Sequence, residues 1–316
     1  MPETLMPSDL AELSPRRKYL IGVSGGVDSM VLLHVLHALG YHKLVVCHLN
    51  HRLRGRASEA DSKLVLQTAS RLGYPCLVES VTLEKSPSLE AAAREARHHF
   101  FVRCARRQRC RRLLLAHHAD DQAETVLMNV LRGSGLRGMG GMRAASTLSL
   151  DGITLTVLRP LLQRSREQLW EYAQAHHLRF REDATNASRD FLRNRLRHDL
   201  IPQASIVLQR DVRPALCRLA KLAQEDESCL AALAGEFPLE ETLSTQDLLA
   251  ESVALQRRIL HGWLQHHQVT EVTFELVEDL RALLPPTSRR AKYNLPGGHW
   301  ARRRAGRLFI ERDGRV

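Results

Sequence analysis

The sequence predicts an α/β protein, with a doubly wound, mostly parallel sheet and a second, smaller, mainly helical domain that ends in short strands. Up to about residue 200, apolar runs of strand length alternate with segments of helical periodicity, the pattern of repeated βαβ units. Beyond Pro238, helical segments precede short apolar strands joined by glycine turns. The expected divisions are residues 1–205, a helical linker at 206–240 and a C-terminal domain at 241–316.

Parallel strands can be placed from their apolar runs, and alanine- and leucine-rich segments predict the helices between them. The strands are expected at residues 19–23, 43–49, 76–81, 113–116 and 155–158, and two of the intervening helices at 58–72 and 88–109. Right-handed crossovers bring the carboxyl ends of parallel strands to one edge of the sheet, where ligands of such folds bind. We therefore expect the polar segments after the strands to form the site.

A glycine turn joins the first strand to the first helix. Glycine lets the backbone approach a ligand, and the first turn of a helix offers unpaired N–H groups and partial positive charge to an anion. The serine hydroxyls add hydrogen-bond donors, and the carboxylate of Asp28 suits a magnesium ion, so the turn is a candidate phosphate site. The alternative is an ordinary βα turn in which a serine or aspartate caps the helix and no ligand binds. The residues of the turn are Ser24, Gly25, Gly26, Val27, Asp28 and Ser29.

This turn resembles the SGGxDS signature of the PP-loop ATP pyrophosphatases, which cleave ATP to AMP and pyrophosphate while adenylating a substrate. It is neither a Walker sequence, because no Gly-Lys-Ser/Thr follows, nor a GxGxxG fingerprint. The resemblance implies an adenine nucleotide alpha hydrolase-like fold for residues 1–205, with ATP as cofactor.

Composition indicates which classes of binding partner and which cellular location to expect. The 316 residues carry a formal net charge of +11, which favours a polyanionic partner such as nucleic acid, although a solvated basic surface would have the same composition. Six scattered cysteines without a C-x-x-C pair argue against a disulfide scaffold, a zinc ribbon and an iron–sulfur cluster. Neither a membrane span of ~20 apolar residues nor a signal peptide is recognisable, so we expect a cytoplasmic protein without a membrane partner.

A dense polar cluster, His117–Thr125, follows the fourth strand and opens the next helix. Polar groups at the carboxyl end of a strand indicate a site rather than a core. Asp121 and Glu124 lie on one side of a helix, and their carboxylates suit magnesium or a cationic amine, while His117 suits a general base. The alternative is that these acids have no ligand and only stabilise the N-terminus of the helix through its dipole. A zinc site is less favoured than magnesium, because the usual spacing of zinc ligands is missing.

The cluster closely resembles the HHxDDQxET signature of the tRNA(Ile)-lysidine synthetases, a PP-loop family. Other segments resemble that family's motifs in the same order, with His98 where the family has tyrosine and Thr185 where it has serine. These segments are residues 92–100, 131–142, 182–186 and 193–202. The resemblance implies a ligase in which ATP, with Mg²⁺, adenylates the wobble cytidine of tRNA(Ile) with a CAU anticodon, and free L-lysine then displaces AMP to give lysidine.

The chemistry of these segments suggests roles for individual residues in such a reaction. The glycine turn would hold the pyrophosphate half of ATP, Asp28 and Asp121 the magnesium, and Arg97 the α-phosphate. Asp121 and Glu124 would hold the ammonium groups of lysine, with His117 as proton acceptor; whether Asp121 serves the metal or the amine stays open. Residues expected to bind substrate or RNA are His51, Arg54, Arg132, Arg137, Asn194, Arg195 and Arg197.

The C-terminal domain is expected to recognise tRNA, because arginines there are interleaved with Tyr293 and Trp300. Two other functions stay open. A PP-loop tRNA thiolase would need cysteine pairs that the sequence lacks. A non-catalytic RNA-binding protein would explain the charge but not the intact turn and polar cluster. Both a monomer and a homodimer are compatible with the sequence.

Overall fold

The computed structural model describes residues 13–52, 56–82, 89–181, 189, 191–237 and 241–312. The chain forms two compact units, Met1–Leu222 and Ala223–Val316. Their boundary falls inside one long helix, Arg213–Gly235, rather than at a break in secondary structure. The divisions predicted at residues 205 and 240 stay predictions.

A six-stranded sheet forms the centre of the first unit, in the order β3-β2-β1-β4-β6-β5. All neighbouring pairs are parallel except β5 and β6, which are antiparallel. The predicted doubly wound, mostly parallel sheet is therefore confirmed. The strands are β1 (Tyr19–Gly22), β2 (Leu44–Asn50), β3 (Cys76–Ser80), β4 (Arg112–Leu114), β5 (Ala145–Leu150) and β6 (Ile153–Leu158).

Helices cover both faces of this sheet because both faces of its central strands are apolar. Leu20 and Ile21 are adjacent in β1 and fully buried, yet they belong to separate hydrophobic clusters on opposite sides of the sheet. The helices of this unit are α1 (Val27–Ala38), α2 (Arg56–Arg71), α3 (Leu89–Gln108), α4 (Ala119–Leu131), α5 (Leu136–Met139), α6 (Arg166–Ala175), α7 (Leu192–Arg195), a π-helical turn (Leu196–Leu200), α8 (Ile201–Val207) and the start of α9 (Arg213–Gly235).

Strand β5 is an element that the apolar pattern did not predict. It lies at the edge of the sheet, and its residues alternate between exposed and half-buried, so it lacks the continuous apolar run of the central strands. The signal that identifies it is the Asp151–Gly152 turn, in which both residues have positive φ (51° and 71°). Asp-Gly in this conformation is typical of a two-residue β-hairpin.

The second unit packs two longer helices against one face of a four-stranded antiparallel sheet, ordered β7-β10-β9-β8. This arrangement confirms the smaller helical domain that ends in short strands. Residues 245–266 form two helices, because Ser252 caps the second helix by accepting a hydrogen bond from the Leu255 N–H. The elements are β7 (Thr242–Ser244), α10 (Thr245–Ala250), α11 (Val253–His266), α12 (Phe274–Leu283), β8 (Lys292–Leu295), β9 (His299–Arg304) and β10 (Arg307–Arg312).

Of the helices that the structure describes, none combines the length and the apolarity needed to cross a membrane.

Candidate active site

The glycine turn links the carboxyl end of β1 to the first turn of α1. Gly25 has φ +95°, a conformation that residues with a side chain rarely adopt, and Gly26 is the N-cap of α1. The serine hydroxyls brace the turn: Ser29 Oγ donates to the Gly26 carbonyl at 3.0 Å and lies 3.2 Å from Ser24 Oγ. Phosphate binding at this turn would therefore depend on backbone N–H groups and the positive end of the twelve-residue helix α1.

A buried histidine joins this turn to the acidic cluster. His118 Nε2 lies 3.6 Å from Asp28 Oδ2 and 3.5 Å from Asp121 Oδ2, while its Nδ1 lies 3.7 Å from Asp120 Oδ2. His118 is only 2% exposed. The turn after β1 and the cluster after β4 therefore share one crevice, because β1 and β4 are hydrogen-bonded neighbours in the sheet. We name Asp28, His118, Asp120 and Asp121 the acidic corner.

Opposite charges stabilise one another in the acidic corner. Burial alone would lower the pKa of His118, but the three carboxylates, Asp121 foremost, raise it to about 10. Burial would raise the pKa of Asp120, yet His118 and the Arg166 backbone N–H hold it at about 2. The pKa of Asp121 is also lowered, by His118 and nearby arginines, against the effect of burial. The corner is therefore an imidazolium held between carboxylates.

His117 has the opposite electrostatic environment. Burial lowers its pKa to about 4, outweighing the attraction of Asp121, and the arginines at positions 159, 193 and 97 lower it further. Its buried Nδ1 has no hydrogen-bond partner among the described residues. His117 is therefore a neutral imidazole with an available ring nitrogen, the state that a proton acceptor requires.

Two arginines bind the acids predicted to hold lysine. Arg193 Nε lies 2.7 Å from Glu124 Oε2, and Arg193 Nη2 lies 2.9 Å from Asp121 Oδ1. Arg197 repeats this arrangement, with Nε 2.5 Å from Glu124 Oε1 and Nη2 3.2 Å from Asp121 Oδ1. Glu124 is 2% exposed, so its charge is compensated within the protein rather than by water. An incoming ammonium group must share or replace these contacts.

The other predicted residues differ in how exposed they are. Arg97 is exposed, but its charge lowers the pKa of both His51 and His117, which places it on the same side of the site. Asn194 is half-buried on α7 beside Arg193. The basic residues Arg132, Arg137 and Arg195 are exposed, and Arg54 lies outside the described residues, as does the segment 182–186.

Two residues of the site had no assigned role in the sequence-based prediction. The expected general base is His117, and the sequence gives no separate role to its neighbour His118. Arg193 has no expected role because nothing in the sequence shows its ion pair with Glu124, a residue 69 positions away. The signal for Arg193 was its spacing from Arg197: residues four apart lie on one helical face and can bind the same carboxylates.

Asp28 and Asp121 are the candidate magnesium ligands of the acidic corner. Asp28 Oδ1 is buried and has no hydrogen-bond partner among the described residues. Its other oxygen and one oxygen of Asp121 converge on His118 Nε2. In the described part of the chain, no group of three or more side chains is arranged to enclose a metal ion. Magnesium commonly uses one or two carboxylates together with substrate phosphates and water, so Asp28 and Asp121 fit such an ion.

The glycine-rich segment after α4 is held in place by two amide side chains. Gln122 accepts from the Met142 N–H at 2.8 Å and donates to the carbonyls of Gly140 and Met142. Asn129 donates to the Gly138 carbonyl at 2.7 Å. The segment contains the short helix α5, and these hydrogen bonds anchor it to α4 at two points.

We predict that Gly141→Ala lowers the free energy of unfolding by about 3 kcal/mol. Gly141 has φ +58°, and an added Cβ would lie 2.8 Å from Gln122 Oε1 and 3.0 Å from a methyl group of Val126. Gly133→Ala is the matched control, because Gly133 also has positive φ but no atom within 4 Å of the added Cβ, and about 1 kcal/mol is expected. Urea unfolding of both variants measures the difference. Equal losses of unfolding free energy would contradict the conclusion that this segment is anchored to α4.

The charge of His118 predicts a pH dependence of stability in buffer with EDTA. Folding raises the pKa of His118 from 6.5 to about 10. Its contribution to the free energy of unfolding is therefore complete below pH 6.5 and is lost as the pH rises through 10. We expect the free energy of unfolding to fall by roughly 1–3 kcal/mol over that window. His118→Gln should be less stable and should show a shallower slope there. Parallel slopes for the two proteins in urea unfolding would show that His118 is not charged in the fold.

Comparison with known proteins identifies the two parts of the chain. A family model described as the PP-loop domain matches residues 4–204, and one described as the TilS substrate binding domain matches residues 243–309. Similar curated proteins include the tRNA(Ile)-lysidine synthases of Solibacter usitatus, 36% identical over 88% of this chain and 63% of that protein, and Alkalilimnicola ehrlichii, 40% identical over 83% and 59%. The chain spans about three fifths of the length of the curated relatives it matches.

A solved structure shares the fold. The U34-tRNA thiolase NcsA from Methanococcus maripaludis, described with its [4Fe-4S] cluster, aligns with a TM-score of 0.55 over 71% of this chain and 76% of that chain. The two sequences are 17% identical, so this likeness concerns the fold alone.

Proposed function

Because the chain belongs to the PP-loop family and is similar to tRNA(Ile)-lysidine synthases over most of its length, we propose that it ligates lysine to the wobble cytidine of tRNA(Ile) with a CAU anticodon. ATP would be consumed and AMP and pyrophosphate released. The observation that carries the proposal is the short separation, 3.6 and 3.5 Å, of Asp28 and Asp121 from one buried imidazole. It brings the candidate phosphate turn and the His117–Glu124 cluster into one crevice.

The first step is adenylation of the cytidine. The carbonyl oxygen of the base attacks the α-phosphorus of ATP, and the bond to the pyrophosphate oxygen breaks. Backbone N–H groups of residues 25–29 and the positive end of α1 would hold the pyrophosphate half. Arg97 would steady the α-phosphate. Mg²⁺ held by Asp28 and Asp121 would supply neutralisation of the charge that develops on the leaving group.

The second step transfers lysine. Its amine attacks the activated ring carbon, the bond from that carbon to the AMP oxygen breaks, and a proton leaves the amine. His117 would take this proton, because its imidazole is neutral and its Nδ1 is available. The carboxylate of Glu124 would bind an ammonium group of lysine, and Asp121 would serve either this amine or the metal. Since Arg193 and Arg197 already contact both acids, lysine binding would require at least one guanidinium group to move.

The two units would divide the work. Residues 1–205 would hold ATP and carry out the chemistry, with 206–240 as a helical linker and 241–316 as the part that recognises tRNA. The exposed residues Arg132, Arg137 and Arg195 have the charge to contact the RNA backbone. The sequence-predicted candidates His51, Arg54, Asn194 and Arg197 would add hydrogen-bond donors for the RNA.

Labelled ATP, lysine and bulk tRNA test the proposal. Pyrophosphate release should continue over many turnovers only when both tRNA and lysine are present, and lysidine should be found in the recovered tRNA. Release that requires a sulfur donor instead of lysine would identify a thiolase. Tight tRNA binding without any pyrophosphate release would identify a non-catalytic RNA-binding protein.

A further inference from the structure

One face of the antiparallel sheet of the second unit packs on helices, and the described residues on its other face are exposed or half-buried. Leu295, Ala301 and Leu308 are buried in a cluster with α11 and α12. Because side chains alternate along a strand, their neighbours lie on the other side of the sheet. We name this side the open face; its residues on β8, β9 and β10 are Lys292, Asn294, Trp300, Arg302, Arg304, Arg307, Phe309 and Glu311.

On the open face, two half-buried aromatic rings lie among lysine and arginine side chains. Trp300 pairs with Glu311 across β9 and β10, and Phe309 pairs with Arg302, so the two aromatic residues are diagonal neighbours about 7–8 Å apart at the backbone. Lys292, paired with Arg302 across β8 and β9, continues the second row. Four cationic side chains and one carboxylate share this face, which makes it complementary to a polyanion.

Aromatic rings set among cations on an exposed sheet are suited to unpaired nucleotides. Successive bases stack on the rings, and cations beside them pair with the phosphates. A regular RNA helix keeps its bases stacked inside and offers a protein mainly phosphates and 2′-hydroxyls, so it would leave the rings unused. Tyr293, which the sequence placed with Trp300 in RNA binding, packs instead against the inner cluster, and Phe309 takes its place on the open face.

We propose that the open face binds an unpaired segment of the tRNA, with bases on Trp300 and Phe309 and phosphates on the cations around them. The proposal rests on tRNA being the substrate. The ammonium group of Lys292 lies over the Trp300 ring, 3.0 Å from its centroid. Base stacking is stronger than an exposed cation–π contact, so a base displaces this flexible side chain, whose charge then pairs with a neighbouring phosphate.

Fluorescence anisotropy with the full chain tests the proposal. The probes are a labelled short single-stranded RNA, a duplex of the same strand, and tRNA. The double variant Trp300→Ala/Phe309→Ala is expected to bind the single strand and tRNA at least about tenfold more weakly, with little change for the duplex. Phe274→Ala is the matched control, since this ring is 62% exposed on α12 of the same unit, and it should have no effect. Trp300→Phe, which keeps a ring, should retain most of the affinity.

A second variant tests the proposal even if the ring variant does not fold. Lys292→Gln/Arg302→Gln leaves both rings in place and should reduce the slope of log affinity against log salt by about 1.4 for the single strand, since each phosphate contact contributes about 0.7. Unchanged affinity of the ring variant in its folded state, or an unchanged salt slope of the charge variant, would overturn the proposal. So would tighter binding of the duplex than of the single strand.

These binding measurements use neither ATP nor lysine. If the chain forms no lysidine but the ring variant loses affinity for tRNA, the proposed function fails and the open face stands. If lysidine forms and the ring variant binds tRNA as tightly as the unchanged protein, the open face is wrong and the proposed function stands.

Discussion

Replacing Asp28 with asparagine is expected to slow tRNA-dependent pyrophosphate release by about 100- to 1000-fold. The amide keeps the shape of the side chain but removes the negative charge that lies 3.6 Å from His118 and suits a magnesium ion. Loss of that charge would leave pyrophosphate less well neutralised as it departs. Single-turnover assays with labelled ATP and saturating tRNA measure the rate of this step.

Asp151→Asn is the matched control for that substitution, because Asp151 lies in the exposed turn between β5 and β6 and its charge faces His99. Its rate should stay close to that of the unchanged protein. An Asp28→Asn variant that releases pyrophosphate at the unchanged rate would show that the carboxylate has no part in adenylation.

Glu124→Gln is expected to spare adenylation and to raise the lysine concentration needed for half-maximal lysidine formation about 10- to 100-fold. A neutral amide cannot form an ion pair with an ammonium group. Glutamine is a better test than alanine, because removing the whole side chain would leave two guanidinium groups beside Asp121 alone, at a cost of about 3–5 kcal/mol in stability.

Glu167→Gln controls for the change of charge, since Glu167 is exposed in the first turn of α6. Adenylation and lysine dependence are measured separately, by pyrophosphate release in one turnover and by lysidine formation over a range of lysine concentrations. An unchanged lysine dependence in Glu124→Gln would mean that Glu124 positions Arg193 and Arg197 and does not bind the amine.

The general location of the site follows from the sequence, because the fold follows from local patterns. The glycine turn after β1 and the polar cluster after β4 each lie at the carboxyl end of a parallel strand, and such ends share one edge. Local patterns do not predict the order of the strands in the sheet. Only the pairing of β1 with β4 brings Asp28 within reach of His118, since these strands are not consecutive along the chain.

The different charges of the two histidines could not be predicted, because they depend on side-chain direction at a single position. His118 is the N-cap of α4, and its backbone N–H donates to Asp121 Oδ2 at 3.1 Å, which directs the imidazole toward the acids. His117, one residue earlier, has no such carboxylate at ion-pair distance in the described structure and stays neutral. Adjacent identical residues thus differ widely in pKa, because burial dominates for His117 whereas three carboxylates, one of them the distant Asp28, surround His118.

A crystal structure of the chain with magnesium and a non-hydrolysable ATP analogue is the most direct measurement of where ATP binds. We expect the β- and γ-phosphates against the backbone N–H groups of residues 25–29, with a metal ion between them and the carboxylates of Asp28 and Asp121. Clear density for the nucleotide at another edge of the sheet, with both carboxylates still against His118 and no metal beside them, would contradict the shared crevice.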